Sequence, residues 1–320
     1  MRFSWPGESF FIGVFTVKNN ESSLTSLVSA FSRAYHVKED RPIIFNDYIA
    51  QDFLLPAEFQ AISTNMANGI AYFSSNMAEK LKNQQEAILK WVTQIQLSPT
   101  PLARAAYAEN VVLHECQLGV EQYVILGAGL DTFAWRHDTL TNVSIFEVDH
   151  PTTQRFKIER LQQTGHTIPP HLNFVAMDFV KELSLEALVA AGFDSSKKTV
   201  FSLLGVSYYL TKDVFQQLLS LFFKNLPKGS SIIFDFADER LFTEAGIFNR
   251  VQNMVQMAKA SGEQMKYATS KLDLEILLSK EQLLVYEHLS PQEIQNRYFA
   301  NRDDNLQAFE TIHYIHAVKN

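Results

Sequence analysis

The chain has 320 residues, enough for one large domain or two small ones with a sizeable core. Its 46% hydrophobic and 20% charged residues, with 12 Gly and 10 Pro, exclude collagen-like, low-complexity and wholly disordered classes. The formal net charge of −7 argues against a general affinity for nucleic acid or anionic lipid, and the single cysteine, Cys116, excludes an internal disulfide or a thiolate metal cage.

Phe10 to Val17, the longest apolar stretch near the start, is too short to span a bilayer, and no small-residue cleavage site follows it. Together with the lone cysteine this reads as a soluble, unprocessed protein of a reducing cytoplasm, with no membrane partner. From Ser22 to about Leu118 the pattern is helical. Leu24, Leu27, Val28 and Phe31 fall at i, i+3, i+4 and i+7, and Ile88, Trp91, Val92 and Ile95 repeat the spacing. Pro99-Thr100-Pro101 opens a further helix, since proline suits a first turn whose N–H groups have no partner.

From Gln122 the grammar changes to short apolar runs between helical stretches: Tyr123–Leu126, Ser144–Val148, Asn173–Ala176, Thr199–Leu204 and Ser231–Phe236. Strands buried on both faces read this way, so the expected fold is α/β, a Rossmann-like, doubly wound, mostly parallel sheet. Gln282–His288 and Thr311–Val318 would complete the sheet. Arg240 to Lys280 is helical and reads as a cap. The expected organisation is a helical region over 1–118 packing on a core over 119–320, with the cap inserted at about 240–280.

The first strand runs into Gly127-Ala128-Gly129-Leu130-Asp131-Thr132, where glycines permit a tight turn and close approach of a ligand to the main chain. About 20 residues on, Glu147 and Asp149 end the next strand, where a carboxylate can accept hydrogen bonds from both ribose hydroxyls of a nucleoside cofactor. A dinucleotide fingerprint wants a third glycine at Thr132, and Asp131 would repel a pyrophosphate. Asp131 better suits a ligand carrying positive charge, as S-adenosylmethionine does. Asp178 is placed to meet an adenine amino group, with Phe179 beside it, or to cap a helix.

These residues carry a resemblance. Gly127 to Thr132 with Trp135-Arg136, then Phe146-Glu147-Val148-Asp149-His150-Pro151 and Gln154-Arg155-Phe156-Lys157, resemble the leucine carboxyl methyltransferase family. That family includes protein phosphatase carboxyl methyltransferases and bacterial O-methyltransferases linked to polyketide biosynthesis. The likeness extends to Ser32–His36, Ile44–Asp47, Leu102–Arg104, Val206–Leu210 and His313-Tyr314. It implies a class I S-adenosylmethionine fold with a helical N-terminal addition and a cap over the acceptor. By position, Arg104 resembles the arginine that holds the methionyl carboxylate of the cofactor, a role suited to a planar, always charged fork. Arg33 resembles a second basic residue at the cofactor end.

Two positions depart from the family pattern. Leu204-Gly205 stands where many members have Glu-Gly, so the cofactor contact expected at Leu204 lacks a carboxylate, and Glu109-Asn110 replaces an Asp-Asp pair. Tyr208 and Tyr209 are the candidates for positioning hydroxyls, although an aromatic pair ending a strand suits a core equally. No metal site is expected: His313 and His316 fall on opposite faces of a strand. Asp303-Asp304 reads as a solvated loop, and Met254 and Met257 as cap packing before substrate contact. The expected activity is metal-independent methyl transfer from S-adenosylmethionine to a small-molecule or peptide carboxylate. A hydroxyl acceptor, a nicotinamide-dependent oxidoreductase and a non-catalytic cofactor-binding protein are the alternatives.

Overall fold

Residues 24–320 are described by a computed structural model, and the Phe10–Val17 stretch lies outside them. The apolar runs form seven strands: β1 (Gln122–Leu126), β2 (Ser144–Asp149), β3 (Leu172–Ala176), β4 (Thr199–Leu203), β5 (Ser231–Ala237), β6 (Leu283–Leu289) and β7 (Ile312–Lys319). They make one sheet in the order β3-β2-β1-β4-β5-β7-β6, with parallel pairing from β3 to β5 and antiparallel pairing of β7 with both β5 and β6. β1 and β4 lie side by side, and chain order runs outward from them to β3 on one side and to β5 on the other. Such a switch point leaves a crevice beyond the strand ends.

Each face of the sheet is covered, as the unbroken apolar runs demand. On one face Val124, Phe146 and Phe201 pack with Phe215 and Leu219 of the Lys212–Phe223 helix and with Leu274, Leu277 and Leu278 of the Lys271–Ser279 helix. The expected cap over 240–280 therefore divides, because its last helix belongs to this core layer. On the other face the Pro99–Gln117 helix buries Leu102, Ala103, Ala106 and Val112 against Tyr123, Ile125 and Ile233. Though it falls within 1–118, it is a layer of the sheet domain.

The N-terminal helices have their own core. Leu27, Ala30, Phe31, Ala34 and Tyr35 of the Leu24–Glu39 helix pack with Ile62, Met66, Trp91, Val92 and Ile95, joined by Leu130, Phe156 and Leu161 from the sheet domain. A π-helical turn over Thr93–Leu97 links the Gln85–Val92 helix to Pro99, and it directs both Gln94 and Gln96 inward. No helix of the described residues is long and apolar enough to cross a membrane.

The antiparallel edge carries one buried and two half-buried histidines. His288 Nε2 lies 2.9 Å from His313 Nδ1 across the β6–β7 pair, while His316 points to the other face, toward Glu115. Asp304, expected in solvent, instead pairs with Arg302 at 2.6 Å. Burial lowers both His288 and His316 from 6.5 to about 4. Between those values the unfolded chain binds more protons than the folded one, so stability falls as pH drops from about 6.5 toward about 4. Each ring contributes at most ~1.4 kcal/mol per pH unit. Relative to the His288→Gln/His316→Gln variant, the wild type should lose stability between pH 6.5 and 5, read as a change in the difference between their urea midpoints. An equal fall in both proteins would remove the histidines as its cause.

Candidate active site

A cavity of about 900 Å³ opens at the C-terminal ends of β1 and β4. Its floor is the glycine turn after β1. Gly127 and Gly129 have φ of +73° and +52°, and a Cβ on Gly127 would collide with Val206, so the turn suits glycine alone at that position. Gly127 N–H donates to Val148 O at 2.8 Å, which ties the turn to β2.

Asp149 extends one residue beyond the last β1–β2 rung, Leu126–Val148, and so stands beside the turn. Its Oδ2 accepts the Gly129 N–H at 2.5 Å and its Oδ1 accepts the His150 N–H at 2.6 Å. A carboxylate has about four acceptor sites, so capacity remains on the cavity side. Burial raises the Asp149 carboxyl above its ordinary value, against the pull of those two N–H groups. His150 accepts the Thr152 N–H at 3.3 Å through Nδ1 and caps the Pro151–Thr164 helix.

Glu147 is not at the cavity. It lies two residues earlier on the strand, 1% exposed, and meets Lys157 Nζ at 2.5 Å. Lys157 also donates to the Asp131 carbonyl at 2.6 Å, so this pair props the glycine turn from behind. Burial pushes the Glu147 carboxyl up to about 7 despite Lys157, and its Oε1 has no hydrogen-bond partner. Asp131 lines the cavity, but its Oδ1 accepts the Phe133 N–H at 2.7 Å. Asp178 caps no helix: its Oδ1 accepts the Val180 and Lys181 N–H groups at 3.1 and 3.3 Å and closes a turn, while the next helix begins at Leu185 on Ser184. Asp178 and Phe179 both line the far end of the cavity.

Arg104 enters from the first turns of the Pro99–Gln117 helix. Its Nη1 donates to Tyr208 Oη at 3.0 Å and to Asp235 Oδ2 at 3.3 Å. Asp235, on β5 and fully buried, also accepts the Gly205 N–H at 2.6 Å. Burial opposes the Arg104 charge, but Tyr208 and Asp235 outweigh it and raise the pKa. Gly205 has φ +72°, and a Cβ there would lie 2.5 Å from the guanidinium. Sequence reasoning missed Asp235. Its signal was a lone acid inside the apolar run Ser231–Phe236, where an unpaired carboxylate would not be tolerated.

Arg33 lines the cavity, and three of its five N–H donors serve the fold. Nε meets Asp47 Oδ2 at 2.7 Å, Nη1 meets Ser29 Oγ at 2.9 Å and Nη2 meets the Leu130 carbonyl at 2.7 Å. Asp47 also accepts from Thr132 Oγ1 at 2.7 Å. Burial works against the Asp47 charge, but Arg33 and Arg136 hold its carboxyl below the usual range. Beyond the glycine turn, Leu204, Tyr209, Met254, Met257 and Phe309 make an apolar chamber. The methionines thus face the cavity rather than only packing the cap. No group of three or more His, Cys, Asp or Glu among the described residues is placed to hold a metal ion.

The leucine carboxyl methyltransferase family matches residues 26–223. YktD of Bacillus subtilis (strain 168), named as an S-adenosyl-L-methionine-dependent methyltransferase, is 57% identical over 304 residues, covering 95% of this chain and 100% of that one. Two crystal structures share the fold at 12% identity. A DUF574 family protein from Streptomyces avermitilis MA-4680 has a TM-score of 0.54, covering 91% of this chain and 97% of that one. A protein from Thermobifida fusca YX, titled as a methyltransferase, has a TM-score of 0.52 with 100% of both chains covered. The match decides between the two cofactors that a glycine turn and a strand-end acid leave open, and it favours S-adenosylmethionine over a nicotinamide. The chain belongs to the leucine carboxyl methyltransferase family and is an S-adenosylmethionine-dependent methyltransferase.

Proposed function

We propose that the protein methylates a carboxylate oxygen of a small-molecule acceptor held in the chamber beneath the 239–267 segment, without a metal. The main chain of Gly127, Ala128 and Gly129 receives the cofactor, Asp149 accepts its ribose hydroxyls, and Phe179 with the turn at Asp178 flanks its adenine. Arg104, held by Tyr208 and Asp235, takes its carboxylate. When bound, the cofactor supplies an electrophilic methyl on a sulfonium. The new O–CH3 bond forms as the S–CH3 bond breaks, and that electron pair stays on sulfur. Tyr209 presents the chamber with a phenol that has no hydrogen-bond partner among the described residues, and it is suited to orient the acceptor oxygen. The protein's part is to align and dehydrate the reactants.

The observation that carries the carboxylate reading is where the histidines lie. Of the histidines, His150 is the one that lines the cavity, at the ribose end, where it caps a helix. His36 is buried between Asp40 at 2.8 Å and the Ile44 N–H at 2.8 Å, and His313 bonds His288. With no imidazole at the acceptor chamber, an acceptor already ionised at neutral pH is favoured over a phenol of pKa ~10, which must lose a proton. Single-turnover transfer at saturating ligands is expected to vary little between pH 6 and 9, and to yield an ester that hydroxylamine cleaves. A rate rising tenfold per pH unit, with an ether as product, would establish a hydroxyl acceptor instead.

A further inference from the structure

We infer that Glu263 is a cofactor-binding residue, pairing with the primary ammonium of the α-amino-acid headgroup whose carboxylate lies on Arg104. The inference rests on the assignment of Arg104 above.

Five carboxylates line the cavity: Asp47, Asp131, Asp149, Asp178 and Glu263. Four are occupied by cations or main-chain N–H groups. Asp47 is held by Arg33, Asp131 by the Phe133 N–H, Asp149 by the Gly129 and His150 N–H groups, and Asp178 by Lys181 and its own turn. Glu263 has neither. Among the described residues its one side-chain partner is the Thr25 hydroxyl, which donates to Oε2. A partly buried carboxylate with an open oxygen and no cation is matched by a ligand that brings one.

Its place selects which ligand. Thr25 precedes Ser26, and Ser26 sits over the glycine turn, 3.1 Å from where a Cβ on Gly129 would be. Glu263 is therefore brought to the roof of the cofactor end, opposite the main chain of Gly129. On the remaining side stands Tyr209, whose phenol is raised by burial and then by the Glu263 charge, while Arg104 pulls it down. Tyr209, Glu263 and Arg104 line the same cavity, so it offers one carboxylate and one guanidinium, the complement of a headgroup with one ammonium and one carboxylate. The strand-end position that could have offered an acid from the floor is Leu204, so the carboxylate comes from the roof. Composition gave no hint of this, because Glu263 lies in a turn, Ser261 to Gln264, that reads as an ordinary polar loop.

Glu263→Gln keeps an oxygen for the Thr25 hydroxyl and removes only the charge, so a purely structural clasp would survive it. Calorimetry should use three probes: S-adenosylhomocysteine, its deamino analogue with the carboxylate kept, and the 3-aminopropyl analogue with the ammonium kept and the carboxylate gone. The variant should bind S-adenosylhomocysteine and the aminopropyl probe about ten- to a hundred-fold more weakly, and the deamino probe as wild type does. Equal losses on all three probes, or no loss on S-adenosylhomocysteine, would overturn the inference. Arg104→Lys is the separate arm: if it fails to discriminate against the carboxylate-bearing probes, the Arg104 assignment falls, while the Glu263 comparison is still read from the amine pair.

Discussion

Arg104→Lys should weaken S-adenosylmethionine and S-adenosylhomocysteine alike, by about thirty- to a few hundred-fold, or ~2–3.5 kcal/mol. The guanidinium stays put because Tyr208 Oη and Asp235 Oδ2 take Nη1, leaving its other edge to the cavity. A lysine ammonium can satisfy Asp235 or a ligand carboxylate, but as a point charge it cannot hold both in one plane. Retaining a cation opposite the buried Asp235 keeps the fold, which Arg104→Met would not, since an uncompensated buried charge costs ~3–5 kcal/mol. Calorimetry of the folded variant with both ligands is the measurement. Normal affinity for both, with only acceptor affinity lost, would move Arg104 to the substrate side.

Asp149→Ala is the second large effect, about ten- to a hundred-fold in cofactor affinity, from loss of a charged acceptor worth ~1.5–3 kcal/mol. Two consequences combine, because the Gly129 N–H also loses its acceptor and the turn loosens. Asp149→Asn separates them. The amide oxygen can still receive the Gly129 N–H, and only the exposed His150 N–H loses its acceptor, so a variant that keeps the wild-type urea midpoint but binds S-adenosylhomocysteine weakly isolates the ribose contact. Unchanged binding in Asp149→Ala would return the role to another acid.

The strands were legible because burial on both faces leaves unbroken apolar runs, and β1 to β5 begin and end within a residue or two of those runs. What pattern alone could not supply was depth along a strand. Glu147 and Asp149 share one face by the period-2 rule, yet only the residue past the last rung lines the cavity, and the earlier one is buried on Lys157. Asp235 was hidden for a related reason. Its partners, Gly205, Tyr208 and Arg104, come from segments 27 to 131 positions away, and no local spacing encodes that meeting. The cap was overextended because helical periodicity does not say what a helix lies on, and Leu274, Leu277 and Leu278 face the sheet.

Arg33 has a consequence for how the two halves communicate. A single guanidinium joins Ser29 of the first helix, Asp47 of the following loop and the carbonyl of Leu130, next to Gly129. Opening of the first helix therefore breaks a restraint on the glycine turn, and a ligand that stiffens that turn slows the opening. Because linkage is reciprocal, the two effects are equal in free energy. Amide hydrogens around residues 27–50, though many lie outside the cavity, should thus register a ligand bound at that turn through their exchange.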